Sequence, residues 1–207
     1  VDGDIGDVQL SNVESASFVL GSGMADVIGL AAASGLAAVN VEAELTQAVT
    51  IEGATADTLV SVVGASGTGA GKDITVEGQT GVTELNLALG LDGADGLDGD
   101  ERLATDDGQD ASAVTTTSQG VDLGAGDAFV VDSSITDATI TVEGEGGSGG
   151  TAANDGTDGT DGTDQSSTLT ELRGTGLTSL TLNLSNSADF TIDNLNAEDL
   201  ETLTLEG

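Results

Sequence analysis

One short strand ending occurs four times in this chain. An apolar residue, a threonine, a second apolar residue, a glutamate and a glycine follow one another at residues 49–53, 74–78, 140–144 and 203–207. In an extended strand successive side chains point to opposite faces, so the two apolar residues share one face and Thr and Glu share the other. The final glycine permits a tight turn. The pattern therefore predicts short, half-buried β-strands that are each followed by a turn.

A second pattern indicates how the strands are spaced. Alternating leucines recur at residues 82–89, 177–184 and 200–207, and the last two copies start at Leu177 and Leu200. The first two strand endings start at Val49 and Ile74. These spacings fall within the periods of about 20 to 50 residues that are typical of solenoids and arrays. We therefore expect an all-β fold, a β-solenoid resembling a parallel β-helix with acidic Gly/Asp-rich insertions. A β-sandwich is the alternative, because short strands at this spacing fit either architecture.

Other segments complete the outline. Further strands are expected at residues 17–20, 39–45, 59–63, 127–131 and 190–192. Two stretches rich in Asp, Gly and Thr cannot bury apolar surface and are expected to be loops. The predicted portions are a β-rich front (1–90), an acidic Gly/Asp/Thr loop (91–120), a hairpin-like β segment (121–144), a Gly/Thr/Asp-rich loop (145–167) and a β-rich repeat tail (168–207).

The charge of the chain limits how it can be stabilised. Its 37 acidic residues face 3 basic ones, a net charge of -34, so a compact form repels itself. This repulsion is reduced by high ionic strength or by bound divalent cations, or it is avoided if the chain remains unfolded. Leu, Ile, Val and Phe make up about a quarter of the chain, above the level of roughly 20% typical of disorder. Cysteine is absent, so disulfides cannot stabilise the fold. Bound metal ions are expected to stabilise it instead, and Ca²⁺ is the predicted ion.

One predicted calcium site lies at residues 123–130. Gly124, Gly126 and Asp127 match the later part of the Gly-x-Gly-x-Asp-x-apolar-x unit of calcium-binding β-helices. Glycines let carbonyl oxygens turn toward a hard cation, and the aspartate supplies a charged oxygen. Residues 21–28 are a looser variant that contains Asp26. For both segments the alternative is an ordinary glycine turn.

A second predicted site is a cluster of aspartates separated by glycines. Its members are Asp92, Asp95, Asp98 and Asp100. Ca²⁺ takes six to eight oxygen ligands and tolerates irregular geometry, so this segment can wrap one ion. A solvated acidic loop is the alternative, and the spacing is not that of an EF-hand. The Thr-Asp-Gly triplets at residues 157–164 are more typical of a flexible spacer.

Several classes of function are not expected. The chain has no His, no Cys and one Lys, which removes catalytic triads, thiol chemistry and zinc hydrolysis, so we expect no enzyme. A carboxylate pair that cleaves glycosides would lack Trp or Tyr to stack on sugars. Nucleic acids and anionic membranes require basic surfaces. No apolar run is long enough for a transmembrane helix, so membrane insertion is not expected either.

The chain resembles calcium-binding surface-layer proteins of Gram-negative bacteria and repeats-in-toxin-type adhesins in two features. These are the turn at Gly124 to Asp127 and the Leu-Thr-x-Leu-Thr-Leu pattern of residues 177–207. Those families are exported without cysteine, form β-solenoids or strings of β-domains, and use Ca²⁺ for folding and lattice assembly. This chain departs from them because it lacks tandem nonapeptides. It begins at Val1 without a signal peptide, which predicts a processed protein or a piece of a larger one.

The resemblance implies an extracellular, cell-surface structural protein that self-assembles into a calcium-dependent layer or fibre, with copies of itself as partner. The alternative is a calcium-stiffened module of a large adhesin that binds glycan, ice or another surface. Cell-surface glycan is then a further expected partner. The ice interpretation depends on threonine pairs such as Thr139 with Thr141 and Thr202 with Thr204. Threonine is also simply common on exposed strand faces.

Overall fold

The computed structural model describes residues 10, 12–20, 27–44, 48–67, 72–92, 118–148, 160–186 and 189–207. Within these ranges the fold is all-β, with no helix. The strands are β1 (Ser15–Leu20), β2 (Val27–Gly29), β3 (Ala38–Glu44), β4 (Val49–Ala54), β5 (Leu59–Gly67), β6 (Ile74–Gly78), β7 (Glu84–Leu89), β8 (Asp122–Val131), β9 (Asp137–Glu143), β10 (Ser167–Arg173), β11 (Ser179–Asn186), β12 (Phe190–Asn196) and β13 (Thr202–Glu206).

Alternate strands pair in parallel and form two ladders. The odd ladder runs through β1, β3, β5, β7, β9, β11 and β13 in that order, and the even ladder through β2, β4, β6, β8, β10 and β12. The two ladders are joined where Ser66 and Gly67 of β5 pair with the start of β8. Parallel pairing differs from the antiparallel pairing of a β-sandwich. The arrangement is consistent with a solenoid-like parallel β-helix.

The registers confirm the repeats that the sequence predicted. Leu180 of β11 pairs with Leu203 of β13, and Val49 of β4 pairs with Ile74 of β6, so in both cases the partners hold the same place in successive copies of a pattern. The strands expected from the sequence all occur, with longer bounds in four of the five cases. The prediction of a hairpin-like segment near residues 121–144 is wrong. β8 pairs with β6 and β10, and β9 pairs with β7 and β11, because the chain crosses from one ladder to the other between them.

The core consists of apolar columns that the parallel registers stack. In the odd ladder the column Val39, Val60, Leu87, Ile140 and Leu182 is at most 5% exposed. In the even ladder the column Val49, Ile74, Phe129 and Leu172 is at most 4% exposed. Both columns belong to one hydrophobic cluster. Because each such side chain contributes about 1.5–3 kcal/mol on full burial, these columns are what holds the ladders together.

The connections between the ladders differ at the two ends of the strands. Segments that lead from even to odd strands form what we call the turn corner, where short turns are closed by a backbone hydrogen bond from residue i+3 to residue i. The donors of these bonds are Ala33, Thr58, Val82, Ile135, Leu177 and Leu200. Segments that lead from odd to even strands form the insertion corner, which includes the long connections 90–121 and 144–166. Both segments expected to be acidic loops therefore join the same ends of the strands.

Candidate functional site

The glycines of the first predicted calcium site form a bulge in β8. Leu123 pairs with Leu169 of β10, and the next aligned pair is Ala128 with Glu171. Residues 124–127 of β8 therefore lie opposite Thr170 alone. Gly126 has a φ of 93°, in the left-handed region that glycine adopts without steric cost. The glycine segment, which the sequence predicted to turn its backbone around an ion, thus departs from the regular pairing of β8 with β10.

Asp127 ends this bulge with its side chain buried. The residue is 1% exposed, and its Oδ1 accepts a hydrogen bond of 2.9 Å from the backbone N–H of Lys72. Its Oδ2 is also buried and has no hydrogen-bond partner among the described residues. Leaving a buried polar atom without a partner is costly, and such atoms in native proteins call for an explanation such as an ion or a water. Oδ2 of Asp127 is thus an oxygen whose protein contacts are incomplete.

Next to Asp127, a polar network crosses the even ladder. Asp73 accepts a 2.9 Å hydrogen bond at Oδ1 from the N–H of Ala128, and its Oδ2 lies 3.6 Å from Nη1 of Arg173. Arg173 also donates to both carboxylate oxygens of Glu171, at 3.1 and 3.0 Å. Asn196 donates to Oε1 of Glu171 at 3.1 Å. The hydrogen bonds from Arg173 and then Asn196 lower the pKa of Glu171, and Glu171 in turn raises the pKa of Arg173.

This network was not predicted from the sequence. Arg173 stands alone in an acidic chain with 3 basic residues, and that rarity was the available signal. Glu171 shares a face of β10 with Arg173, two residues away, but Asp73 lies before β6, two strands from β10, so only the register reveals that partner. The network ties β6, β10 and β12 together on the outer face beside Asp127.

Asp92 of the second predicted site has a structural role in the described part of the chain. Its Oδ1 accepts hydrogen bonds from the N–H groups of Gly144 at 2.8 Å and Glu145 at 3.1 Å. Asp164 supports the same turn by accepting from Gly146 at 2.8 Å. Burial, and then the negative charge of Asp92, raise the pKa of Glu143. Asp92 therefore holds the two long connections of the insertion corner against each other, and Asp164 joins two parts of the second connection.

The other members of the predicted sites lie outside the described residues, namely Asp26, Asp95, Asp98 and Asp100. Among the residues that are described, no group of three or more acidic side chains is close enough to hold a metal ion. Among the described carboxylates, Asp127 is the one with a buried oxygen that accepts no hydrogen bond. The structure does not place Asp92 and Asp127 in one such group.

A shallow cleft of about 360 Å³ opens at the insertion corner. Its lining residues are Gly64, Gly120, Asp122, Asp164, Gln165, Ser166 and Thr168. It offers carboxylate, hydroxyl, amide and backbone oxygens, and, because the chain has no His and no Cys, no imidazole or thiol. Its chemistry suits a hard cation or a hydrogen-bonding ligand.

Carboxylates also stack along the outer face of the even ladder. Glu52, Glu77 and Asp132 each follow one of the aligned residues Ile51, Val76 and Val131, and we call them the carboxylate column. Burial raises the pKa of Glu77, and the charges of Glu52 and Asp132 raise it further. Asp132 is compensated locally, because hydrogen bonds from Ser134 lower its pKa. The repeated strand ending has therefore placed like charges on neighbouring strands.

The outer face of the odd ladder carries a column of threonines. Thr139, Thr181 and Thr204 are aligned across β9, β11 and β13, with Asn86 of β7 in the same column. All four side chains are partly exposed. The pairing of threonines that the sequence suggested within a strand thus extends across strands.

Comparison with protein-family models, with curated proteins and with solved structures gave no match. Within the described ranges, no helix is long and apolar enough to cross a membrane.

Proposed function

We propose that this chain is a two-sheeted β-solenoid that serves as a non-catalytic structural module of an extracellular surface layer or fibre. In this proposal Ca²⁺ stabilises each copy and links copies to one another. The observation that carries the proposal is the buried Oδ2 of Asp127, which has no hydrogen-bond partner among the described residues. A buried carboxylate oxygen in that state favours a bound cation.

The chemistry around Asp127 fits calcium. Residues 124–126 form a glycine-containing bulge directly before it, and carbonyl and carboxylate oxygens are the ligands that Ca²⁺ prefers. Calcium would supply the positive charge that offsets Asp127 at this position. Asp26, Asp92, Asp95, Asp98 and Asp100 remain predicted ligands, and all of them lie in connections of the insertion corner.

Charge supports the assembly part of the proposal. Copies with a net charge of -34 repel one another at low ionic strength. Ions that bridge acidic surfaces of two copies would convert this repulsion into cohesion, and binding to the folded state alone also stabilises the fold. The absence of cysteine leaves metal ions as the available cross-link for a protein outside the cell.

The first experiment is a calcium titration of thermal unfolding with two matched variants. We expect Ca²⁺ to raise the Tm of the native chain and to have a much smaller effect on Asp127→Asn, because the amide lacks the charged oxygen. At a calcium concentration of 100 times Kd the expected stabilisation is about 2.7 kcal/mol. The control is Asp137→Asn, an exposed aspartate at the start of β9, which should respond as the native chain does. An equal response of all three proteins would contradict the role of Asp127.

Assembly is tested separately by light scattering and negative-stain microscopy. We expect periodic layers or fibres to form with Ca²⁺ and to disperse in excess chelator. Assemblies that stay intact in chelator, together with an unchanged Tm, would rule out a calcium-dependent lattice.

The second candidate function is a calcium-stiffened module of a larger adhesin that binds ice. The aligned, partly exposed Thr139, Thr181 and Thr204 favour it, because a regular array of hydroxyl and methyl groups is what an ordered water surface would contact. Thermal hysteresis of the native chain that is lost in Thr181→Lys would support this candidate. Asn194→Lys, on the exposed outer face of β12 in the even ladder, is the matched control. Absence of hysteresis in the native chain would exclude it.

A further inference from the structure

The outer face of the odd ladder is almost free of charge. Two columns of aligned residues run along it from β1 to β13, one from Ser15 to Thr204 and the other from Ser17 to Glu206. They point outward, because the residues between them belong to the buried core. We call these fourteen positions the neutral strip. Ten of them are Ser, Thr or Asn, and Glu206 is the single carboxylate among them.

Carboxylates surround the neutral strip instead. Glu84 of β7 is aligned with Asp137 of β9 on one side of it, and Glu42 and Glu143 lie on the other side. The outer face of the even ladder carries the carboxylate column and the acidic partners of Arg173. In a chain with a net charge of -34, the strip is therefore a surface that repels anionic molecules at its borders and accepts uncharged ones.

The neutral strip is long, narrow and accessible. Its first column is partly or fully exposed on every strand, from Ser15 to Thr204, whereas Ala88 of the second column is 1% exposed, so the strip narrows to one column at β7. Strands lie about 4.8 Å apart and the two columns about 7 Å apart, which gives a length of about 29 Å and an area of roughly 300 Å².

These dimensions select the kind of partner. A stable contact between two folded proteins buries about 800 Å² on each partner and depends on aromatic or arginine anchors. The strip is smaller and contains neither residue type, so it does not suit a second copy of this chain. A hydrogen-bonding surface of this shape suits an extended, uncharged polymer that crosses the strands.

We propose that the neutral strip binds an uncharged linear polysaccharide. Sugar hydroxyls both donate and accept hydrogen bonds, and the Ser, Thr and Asn side chains of the strip offer both kinds of group in return. Threonine methyl groups and Leu59, which is 38% exposed, can contact the C–H groups of the sugar rings. The strip has no aromatic ring to stack on a single sugar, so affinity depends on many weak contacts and rises with the length of the polymer.

The strip as a whole matches a polysaccharide better than ice. Threonine repeats in its first column only on β9, β11 and β13. Toward β1 the column continues with Asn86, Leu59 and Ala38, which do not repeat one geometry. The feature shared by the whole column is the absence of charge, which a flexible neutral polymer requires. This inference does not rest on the proposed role of calcium, because the strip contains neither Asp127 nor Asp92.

The test is native electrophoresis of the chain, with Ca²⁺ present, through gels that contain one dissolved polysaccharide. The neutral probes are a linear glucan, mannan, galactan and xylan, and the anionic probe is polygalacturonate. We expect at least one neutral probe to retard the native chain and polygalacturonate to have no effect. Thr181→Asp puts a carboxylate in the strip and should raise the apparent Kd at least about tenfold. The control Thr191→Asp adds the same charge to the exposed outer face of β12 and should bind as the native chain does.

Asn183→Asp is a second strip variant that keeps the shape of the side chain, and circular dichroism checks the fold of all three variants. Retardation that both strip variants lose and Thr191→Asp keeps supports the proposal. It is overturned if no neutral probe retards the native chain, if polygalacturonate retards it equally, or if both strip variants bind as the native chain does. Thermal hysteresis or self-association without retardation also overturns it, and assigns the strip to ice or to a second copy. The calcium titration of Asp127→Asn has no bearing on these outcomes.

Discussion

At Gly90 the backbone has a φ of 90°, and an added Cβ would collide with the carbonyl oxygens of Glu143 and Gln119. Gly81, in the turn before β7, has a φ of 89° but nothing within 4 Å of the same position. The two glycines thus share a conformation and differ in their surroundings. Their comparison separates backbone strain from close packing.

We expect Gly90→Ala to lower the free energy of unfolding by at least about 2 kcal/mol, and Gly81→Ala by about 1 kcal/mol. The second value is the cost of a left-handed conformation for alanine, and the excess in the first comes from moving two backbones apart. Urea denaturation at fixed pH and salt measures both. Equal losses in the two variants would show that the segment 118–120 does not pack against Gly90 as described.

Single residues were the part of the molecule that the sequence predicted least well. The glycines before Asp127 were predicted to form a turn, because glycine spacing reports backbone conformation directly, whereas the structure has them as a bulge within β8. The role of Asp92 as an acceptor for the N–H groups of Gly144 and Glu145 was not predicted, because those partners lie far away along the chain. The pairing of Arg173 with Asp73 was missed for the same reason.

At the scale of elements, the carboxylate column makes a prediction about pH. The pKa of Glu77 lies above its ordinary value of 4.5 because of burial and because of Glu52 and Asp132. The folded state therefore favours the protonated form, and the stability that protonation gives is present below the ordinary pKa and is lost as pH rises through the raised pKa. We expect Glu77→Gln to be more stable than the native chain at pH 7 by on the order of 0.5 kcal/mol, a value typical of partly exposed charges.

The measurement is the free energy of unfolding of both proteins between pH 4 and pH 7. The advantage of Glu77→Gln should shrink as pH falls, since the native glutamate is then protonated as well. Glu198→Gln, an exposed residue of the turn after β12, serves as the control for the general effect of removing one negative charge, and its advantage should be smaller than that of Glu77→Gln. A constant difference across the range would mean that charge in the column is not the cause.

Strands were predicted well and their pairing less so. Alternation of apolar and polar residues is a local signal, and it found the strand endings at residues 49–53, 74–78, 140–144 and 203–207 as β4, β6, β9 and β13. The recurrence of a pattern, from β4 to β6 and from β11 to β13, gave the neighbours where no long insertion intervenes. β8 and β9 were misjudged as hairpin-like, because a short turn such as residues 132–136 gives no local signal of whether the chain reverses or crosses to a second ladder.

For the whole molecule, net charge sets how stability depends on salt. With 37 acidic and 3 basic residues, long-range repulsion acts on the folded state, and salt at about 1 M shortens the screening length from roughly 10 Å at 0.1 M to about 3 Å. In the presence of chelator we expect NaCl at about 1 M to raise the Tm by roughly 5 °C, corresponding to about 2 kcal/mol. A variant with Glu198, Asp199 and Glu201 of one turn replaced by their amides should show a smaller rise. A Tm that falls with salt would show that attractive ion pairs dominate instead.

The contrast between the turn corner and the insertion corner bears on how such a molecule changes over generations. Closing a longer loop costs only about 0.6 kcal/mol for each doubling of its length, so new segments can enter the insertion corner while β7 stays aligned with β9 and β9 with β11. The opposite corner, with its repeated short turns and the fully buried Ile135 and Leu177, gives no such freedom. Lineages of this protein should therefore vary in length and chemistry along one edge alone, and that edge is where a foreign epitope can be grafted without disturbing the stack.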